Sequence, residues 1–446
     1  MKKLKSAKIV RKKPLPFEFP GANFYDRREE EAALAVIRNR SPFRYYGPKC
    51  SYEVDRLEKE FARSTGTKYA LAVNSGTQAL AIAMSALGVG PGAEVVVPAY
   101  MWIAIVASIV RLGAIPVLAE IDDSFTLDPS YLEKRITKRT RLIVTVHMSG
   151  APADMERIMK VARKHNIPVL EDCAQANGAS LNGKKVGTLG TMGIFSLQLN
   201  KNMTTGEGGM VVTDSGHLFR RASAIHDLGY PRINGRLIMK NGPYALWGFG
   251  GRMSEIAGAI GRVQLKKLPS IVASMHRSKR EIKRGISGIK GLEFRRLNDE
   301  NGDSGAFLIL VLPSAGVAKK FAGAMNAQKI YSGLSPTVRV VDFGMHVYHN
   351  IHSLVGKHSN SPDGFPWTLP ANRESVYDYN KGAMPRSDRL MERSIIMPVP
   401  SVLTKKDTAD VISSIRRIAG KLLDTVGWNS PCRTDDGNCK KYRVIL

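Results

Sequence analysis

The chain has 446 residues, 43% of them hydrophobic and 24% charged, which suits a soluble globular protein of two to three domains. Its 66 basic and 39 acidic residues give a formal charge of +27. The lysines and arginines are spread along the chain rather than clustered, and no nucleic-acid module is present, so no nucleic-acid partner is expected; a positive field favours an anionic substrate. No apolar run reaches the roughly eighteen residues of a membrane span, and Met1–Lys8 is basic without an apolar stretch behind it, which is not a secretory signal. Four cysteines are too few for a disulfide scaffold, and a reducing cytoplasm is the expected compartment.

Residues 1–16 are basic and proline-containing and read as a mobile arm. Helical patterns follow at Glu29–Arg38 and Val54–Ser64, separated by the aromatic, turn-rich loop Ser41–Pro48. From Lys68 to Thr213 strand and helix patterns alternate. Strand-like runs fall at Tyr69–Val73, Glu94–Pro98, Ile115–Glu120, Leu142–His147, Val169–Asp172, Ile194–Leu197 and Met210–Thr213. Helix-like runs fall between the earlier ones, at Thr77–Leu87, Ile103–Leu112, Pro129–Arg135 and Met155–His165. That alternation predicts an α/β domain with a mostly parallel central sheet covered on both faces. A long helix is expected from Arg252, interrupted at Pro269 and resuming toward Ile286. Beyond it the pattern becomes α+β, with a strand at Phe307–Leu312 and helices at Ala318–Ala327 and Lys406–Leu422. The expected division is therefore an arm (1–16), a large domain (17–285), a smaller C-terminal domain (286–428) and a polar tail (429–446). Cys432 and Cys439 lie in that tail at a spacing that fits no zinc pattern.

Three stretches carry chemistry. Phe195 to Gly209 places one lysine, Lys201, between a strand and a glycine-rich turn, which suits an amine held at one aldehyde carbon. Ile167 to Gln175 ends an apolar strand in Glu171-Asp172; ligands in open α/β sheets bind at such strand ends. An aspartate there can pair with a pyridinium nitrogen. Ala72 to Leu80 turns a strand through Asn74-Ser75-Gly76-Thr77 into a helix, whose first N–H groups can hold a phosphate. The loop-rich span Asp342–Met397 holds His346, His349 and His352. No carboxylate set supports a metal there, and substrate or subunit contact is the expected role.

These three stretches, in this order, resemble the DegT/DnrJ/EryC1/StrS family of sugar aminotransferases over about residues 17–418. The resemblance implies the fold type I, aspartate-aminotransferase-like architecture and the cofactor pyridoxal 5'-phosphate (PLP). It implies Lys201 as Schiff-base lysine and proton carrier, Asp172 at the pyridine nitrogen, and Gln175 near the phenolic oxygen. Ser196, Gly76 and Thr77 match the phosphate cradle. Trp102 matches the aromatic that stacks on the ring, with Tyr100 as the alternative if the alignment slips. His147 resembles a strand-end histidine that either supports the site from behind or is structural. The Ser41–Pro48 loop either borders the active-site mouth, as in the family, or packs. One departure stands out: Gly250 occupies the position where many members carry an asparagine that reaches the neighbouring subunit's phosphate. The implied reaction moves an amino group from glutamate or glutamine to a keto sugar, with a nucleotide-linked sugar as the expected acceptor, within a homodimer. Relatives that aminate a cyclic polyol ketone or make an aminohydroxybenzoate are the alternative, and a PLP-binding sensor without turnover is the other. The deoxysugar dehydratases of the family have histidine where this chain has Lys201.

Overall fold

Seven apolar runs pair into one sheet because their side chains are buried on both faces. The computed structural model describes residues 10–423 except Asn234. In chain order the strands are β1 (Tyr69–Val73), β2 (Glu94–Pro98), β3 (Ile115–Ala119), β4 (Thr140–Val146) and β5 (Val169–Asp172). After a small hairpin, β6 (Ser180–Leu181) and β7 (Lys184–Lys185), come β8 (Met192–Ser196) and β9 (Gly209–Thr213). The sheet order is β1-β9-β8-β5-β4-β2-β3. Only β9 opposes its neighbours. Alternate residues enter different cores: Val95, Val97, Leu142, Val144 and Ile194 join one cluster, while Val96, Ile143, Val169 and Phe195 face the other side. This is the two-sided burial that a parallel sheet requires. Strand ends differ from the sequence reading by one to two residues, as at Thr140–Val146 against the expected Leu142–His147.

Helices α1 (Arg27–Arg38), α2 (Glu53–Thr65), α3 (Gly76–Ala86), α4 (Ala104–Arg111), the single turn α5 (Pro129–Leu132), α6 (Met155–Lys164) and α7 (Gly216–His226) cover this sheet or flank it. A second short hairpin, β10 (Arg232–Ile233) and β11 (Arg236–Leu237), precedes α8 (Glu255–Ile286). The expected interruption of α8 does not occur: the helix is continuous, with Pro269 inside it. A proline in a helix removes one hydrogen bond at a cost of about 3 kcal/mol. Here Leu268, Ile271, Val272 and Met275 are buried on either side of it, and that burial holds both halves in line.

The remaining chain forms a four-stranded antiparallel sheet, β12 (Glu293–Phe294), β13 (Phe307–Val311), β14 (Val338–Arg339) and β15 (Ser394–Pro398), in the order β12-β13-β15-β14. It packs with α9 (Ala315–Ala327) and α12 (Lys405–Leu422) around an apolar cluster of its own. Between β14 and β15 the chain makes short 3-10 turns, α10 (His352–Val355) and α11 (Pro385–Glu392).

The N-terminal arm needs correction over the part that is described. Residues 10–16 are pinned to the small sheet's layer rather than mobile. Arg11 pairs with Asp407 (2.7 Å) and Asp410 (2.8 Å). Leu15 is 2% exposed and its N–H donates to Tyr331 O. Burial of one leucine and a two-carboxylate clamp on one arginine outweigh the freedom that the basic composition suggested. Residues 1–9 and 424–446, including Cys432 and Cys439, lie outside the described residues.

Candidate active site

The carboxyl ends of β5 and β8, the start of α3 and the loop after β8 enclose a cavity of about 440 Å³. Gly76, Thr77, Trp102, Asp172, Gln175, Ser196 and Lys201 all line it, so the structure brings these seven sequence-predicted site residues to one place. The chain turns from β1 into α3 at Ser75, whose side chain caps the helix by accepting from Gln78 N–H. The turn packs so closely on Ser196 that a Cβ on Gly76 would stand 2.7 Å from the Ser196 Cβ. Only glycine permits that approach, and it sets Ser196 beside the open first turn of α3.

Lys201 sits on a loop closed at both ends. Leu197 N–H donates to Gly208 O, and Thr205 N–H to Leu197 O (both 2.9 Å). From outside, Gly21 N–H donates to Lys201 O (3.0 Å). The partly buried amine is pushed below the usual lysine range by burial, with Asp172 and Glu207 opposing. A larger neutral fraction follows, and the neutral amine is the form that attacks a carbonyl or takes a proton.

Asp172 is 3% exposed. Burial pushes its carboxyl above the usual range, against the Ala174 N–H, Lys201 and His147. Its Oδ1 accepts from Ala174 N–H (2.9 Å). Behind it lies a knot of neutral and acidic groups. Glu171 accepts from the N–H groups of Gly187, Leu189 and Gly190. It also meets His147 Nε2 at 2.9 Å. Ala153 N–H donates to His147 Nδ1 (3.0 Å), so the ring proton is on Nε2 and His147 donates to Glu171. Among the described residues His147, Glu171 and Cys173 are the group spaced for a metal. Its nitrogen and carboxylate lone pairs are already used in hydrogen bonds, and burial pushes the Cys173 thiol up, so the knot serves as a rigid backing. His147 is fully buried and stands behind Asp172 rather than in the cavity wall.

Trp102 lines the cavity and is 40% exposed, whereas Tyr100 is fully buried. The geometry thus selects Trp102 over Tyr100 as the cavity aromatic. The loop Ser41–Pro48 packs instead of facing the cavity of its own chain: Arg44, 4% exposed, pairs with Glu58 at 3.0 Å. Residues 248–252 do not line that cavity either. Gly250 has φ +64° with open space where a Cβ would stand. Arg252 is held at 2.5 Å by Asp227.

His346, one of the three histidines expected to contact substrate or a subunit, lines the cavity, and Phe343 beside it was not singled out from sequence. Phe343 and His346 enter from the segment after β14, and His346 Nε2 lies 3.1 Å from Gln175 Nε2. The three histidines of that segment do not converge: His349 faces Asp388 at 3.8 Å and His352 is exposed. The signal available in sequence was the aromatic-histidine pair Phe343–His346 itself, three residues apart.

A family model described as the DegT/DnrJ/EryC1/StrS aminotransferase family matches residues 26–335. The 3-amino-5-hydroxybenzoate synthase of Amycolatopsis mediterranei is 33% identical over 320 residues, 71% of this chain and 80% of that protein. The GDP-perosamine synthase of Caulobacter vibrioides is 42% identical over 222 residues, 50% of this chain and 58% of its own length. An X-ray structure of an aminotransferase from Psychrobacter cryohalolentis superposes with a TM-score of 0.74 at 27% identity, covering 92% of this chain and all of that one.

Proposed function

This chain belongs to the DegT/DnrJ/EryC1/StrS aminotransferase family, a family of PLP-dependent transaminases, and on that premise we propose that it moves an amino group from glutamate or glutamine to the keto group of a sugar. The observation that carries the reading is the pairing of a lysine amine and a strand-end carboxylate, Lys201 and Asp172, across one cavity. Nucleotide-linked acceptors are the first choice, as for a relative named GDP-perosamine synthase. A second reading has an observation of its own. Among the described residues the cavity wall carries one cation, Lys201, against Glu18, Asp172 and Glu207. That lining favours an acceptor without phosphate, a cyclic polyol ketone or the precursor of an aminohydroxybenzoate, unless a second subunit supplies cations.

The donor set fits PLP. Lys201 would anchor it, Asp172 would face its ring nitrogen, and Gln175 its phenolic oxygen. Ser196, Gly76 and Thr77 would hold its phosphate beside the α3 N-terminus, and Trp102 would cover the ring. The raised pKa of Asp172 marks a buried carboxyl short of positive charge, and a cationic ring nitrogen would provide it. When bound, the cofactor supplies an aldehyde for the amine and a ring that takes up the electron pair left by a departing proton. Lys201 Nζ would carry the proton from the amine-bearing carbon of the donor to the cofactor's aldehyde carbon, and in the second half would carry one back to the acceptor carbon that gains the amine. The Glu171–His147 knot keeps Asp172 in place throughout.

The purified holoprotein should be yellow. Glutamate or glutamine should bleach it, and the correct keto acceptor should restore the colour. A holoprotein that stays yellow with every amino donor would instead be a sensor. A panel of acceptors with and without a nucleotide, read by the same recovery of colour, separates the two substrate readings.

We also infer a homodimer. Trp247 is 93% exposed, Met239 83% and Ile233 61%, with Leu228 and Phe249 beside them in sequence. A second copy of this chain would cover these apolar side chains. A wild-type protein that sediments as a monomer at micromolar concentration contradicts this; Trp247→Glu with Met239→Glu should shift a dimer toward monomer. Among the described residues no helix is long and apolar enough to cross a membrane. The unpaired thiols of Cys50 and Cys173 suit a cytoplasmic location, which cell fractionation would check.

A further inference from the structure

The Gln175 amide is bonded at both ends. Its Oε1 accepts from the backbone N–H of Ser149 (2.9 Å). Ser149 is a non-glycine residue in the left-handed region, φ +54°, so strained backbone aims that N–H. Its Nε2 meets His346 Nε2 at 3.1 Å. On the other side of the ring, His346 Nδ1 lies 3.0 Å from Phe343 O. A carbonyl only accepts, so Nδ1 carries the ring proton and Nε2 presents a lone pair. All directions follow: Ser149 donates to Gln175, Gln175 to His346, and His346 to Phe343.

The imidazole is clamped. It stacks on Phe343 at 4.3 Å between centroids and tilts against Trp102 at 4.7 Å. Its backbone carbonyl accepts from Met101 N–H (2.8 Å). The next residue, Val347, bridges to Tyr100 just beyond the end of β2. The segment after β14 is thereby docked against the large sheet's strand ends.

We propose that His346 is a positioning residue for Gln175: as the sole acceptor for that amide among the described residues it selects one of two flips, so that an N–H rather than the carbonyl oxygen is left for the cavity. In the other flip the Gln175 oxygen would face the His346 lone pair and its NH2 would face the Ser149 N–H, two repulsive contacts in place of two bonds. The proposal rests on the reading of Gln175 as the neighbour of the cofactor's phenolic oxygen, which only a donor can satisfy. Burial holds the ring's pKa down to about 4, with Lys201 adding to the effect. The charged or titratable groups around the ring are Lys201 on its loop and Asp172 at the end of β5, with Tyr100 6.4 Å away between centroids. Glu18 and Glu207 line the same cavity. The folded protein therefore refuses a proton that the unfolded chain accepts near the ordinary histidine value. Stability contributed by the neutral ring is present above about pH 6.5 and is lost as pH falls toward 4.

The test compares His346→Phe, His346→Gln and Gln175→Leu. The holoprotein is read by the pH midpoint of its visible absorbance change, and the cofactor-free protein by its thermal midpoint against pH. Gln175→Leu should raise the absorbance midpoint by about half a pH unit or more, because a donor to the phenolic oxygen is gone. His346→Phe keeps the stack but not the acceptor and should shift the midpoint the same way. His346→Gln keeps an acceptor at the Nε2 position and should restore most of the wild-type value. In the cofactor-free protein His346→Phe should flatten the loss of thermal stability between pH 6.5 and 4. If the phenylalanine variant does not fold, His346→Asn, too short to reach Gln175, takes its place. A wild-type midpoint in His346→Phe alongside a shifted Gln175→Leu overturns the positioning role. A wild-type midpoint in Gln175→Leu overturns the reading of Gln175 beneath it, and the two failures are distinct.

Discussion

Lys201→Ala protein folds, binds cofactor without a covalent link and transfers no amino group at a measurable rate. The loss is the largest expected of any single change, because one side chain performs two tasks. In the proposed role it anchors the cofactor and moves the proton at the amine-bearing carbon, and proton transfer by a positioned group alone is worth roughly 10²–10⁴-fold. Among the described residues no second lysine lines the cavity to take over. The fold should survive, since the loop is closed by backbone bonds from Leu197, Gly208 and Gly21 that the substitution leaves untouched. The measurement is single-turnover colour change with glutamate, beside a thermal melt. Retention of even a hundredth of the wild-type rate would mean that the proton travels another way.

Asp172→Asn comes next. Asparagine keeps the shape and an acceptor for the Ala174 N–H, but removes the charge that would hold a ring nitrogen protonated. In a shielded site such a charge is a large term, and a fall in kcat of roughly 10²–10³-fold is expected, comparable to losing one preorganised group at a developing charge. Binding should weaken far less, because Gly76, Thr77 and Ser196, which would cradle the phosphate, are separate from Asp172. Near-normal turnover in Asp172→Asn would remove Asp172 from the mechanism. The neutral substitution also ends the burial of an ionised carboxyl, so the variant should melt no lower than wild type.

The parts of this molecule that sequence reveals are those set by local pattern. Val95, Val96 and Val97 must be buried on both faces, and such runs leave only a parallel sheet with covers. Asn74 to Thr77, Glu171 to Gln175 and Ser196 to Gly209 are contiguous, so their chemistry travels with their letters. What stayed hidden depends on distant pairings. Arg11 finds Asp407 across nearly the whole chain, and nothing in a basic arm announces it. Pro269 reads as a helix break until the burial of its neighbours is known. His346 lies 171 residues from Gln175, in a segment whose three histidines suggested a shared task that the fold divides. Trp102 and Tyr100 are two residues apart, and the resemblance favours Trp102 only as long as the alignment does not slip. The fold turns one into the cavity and the other into the core.

The central claim is that Lys201 is the residue that holds the cofactor. Reduction of the yellow holoprotein with borohydride, followed by proteolysis and mass spectrometry, tests it directly. A pyridoxyl group on the peptide carrying Lys201, and on no other lysine, is the predicted result. The same group on any other lysine, with Lys201 unmodified, would contradict the account.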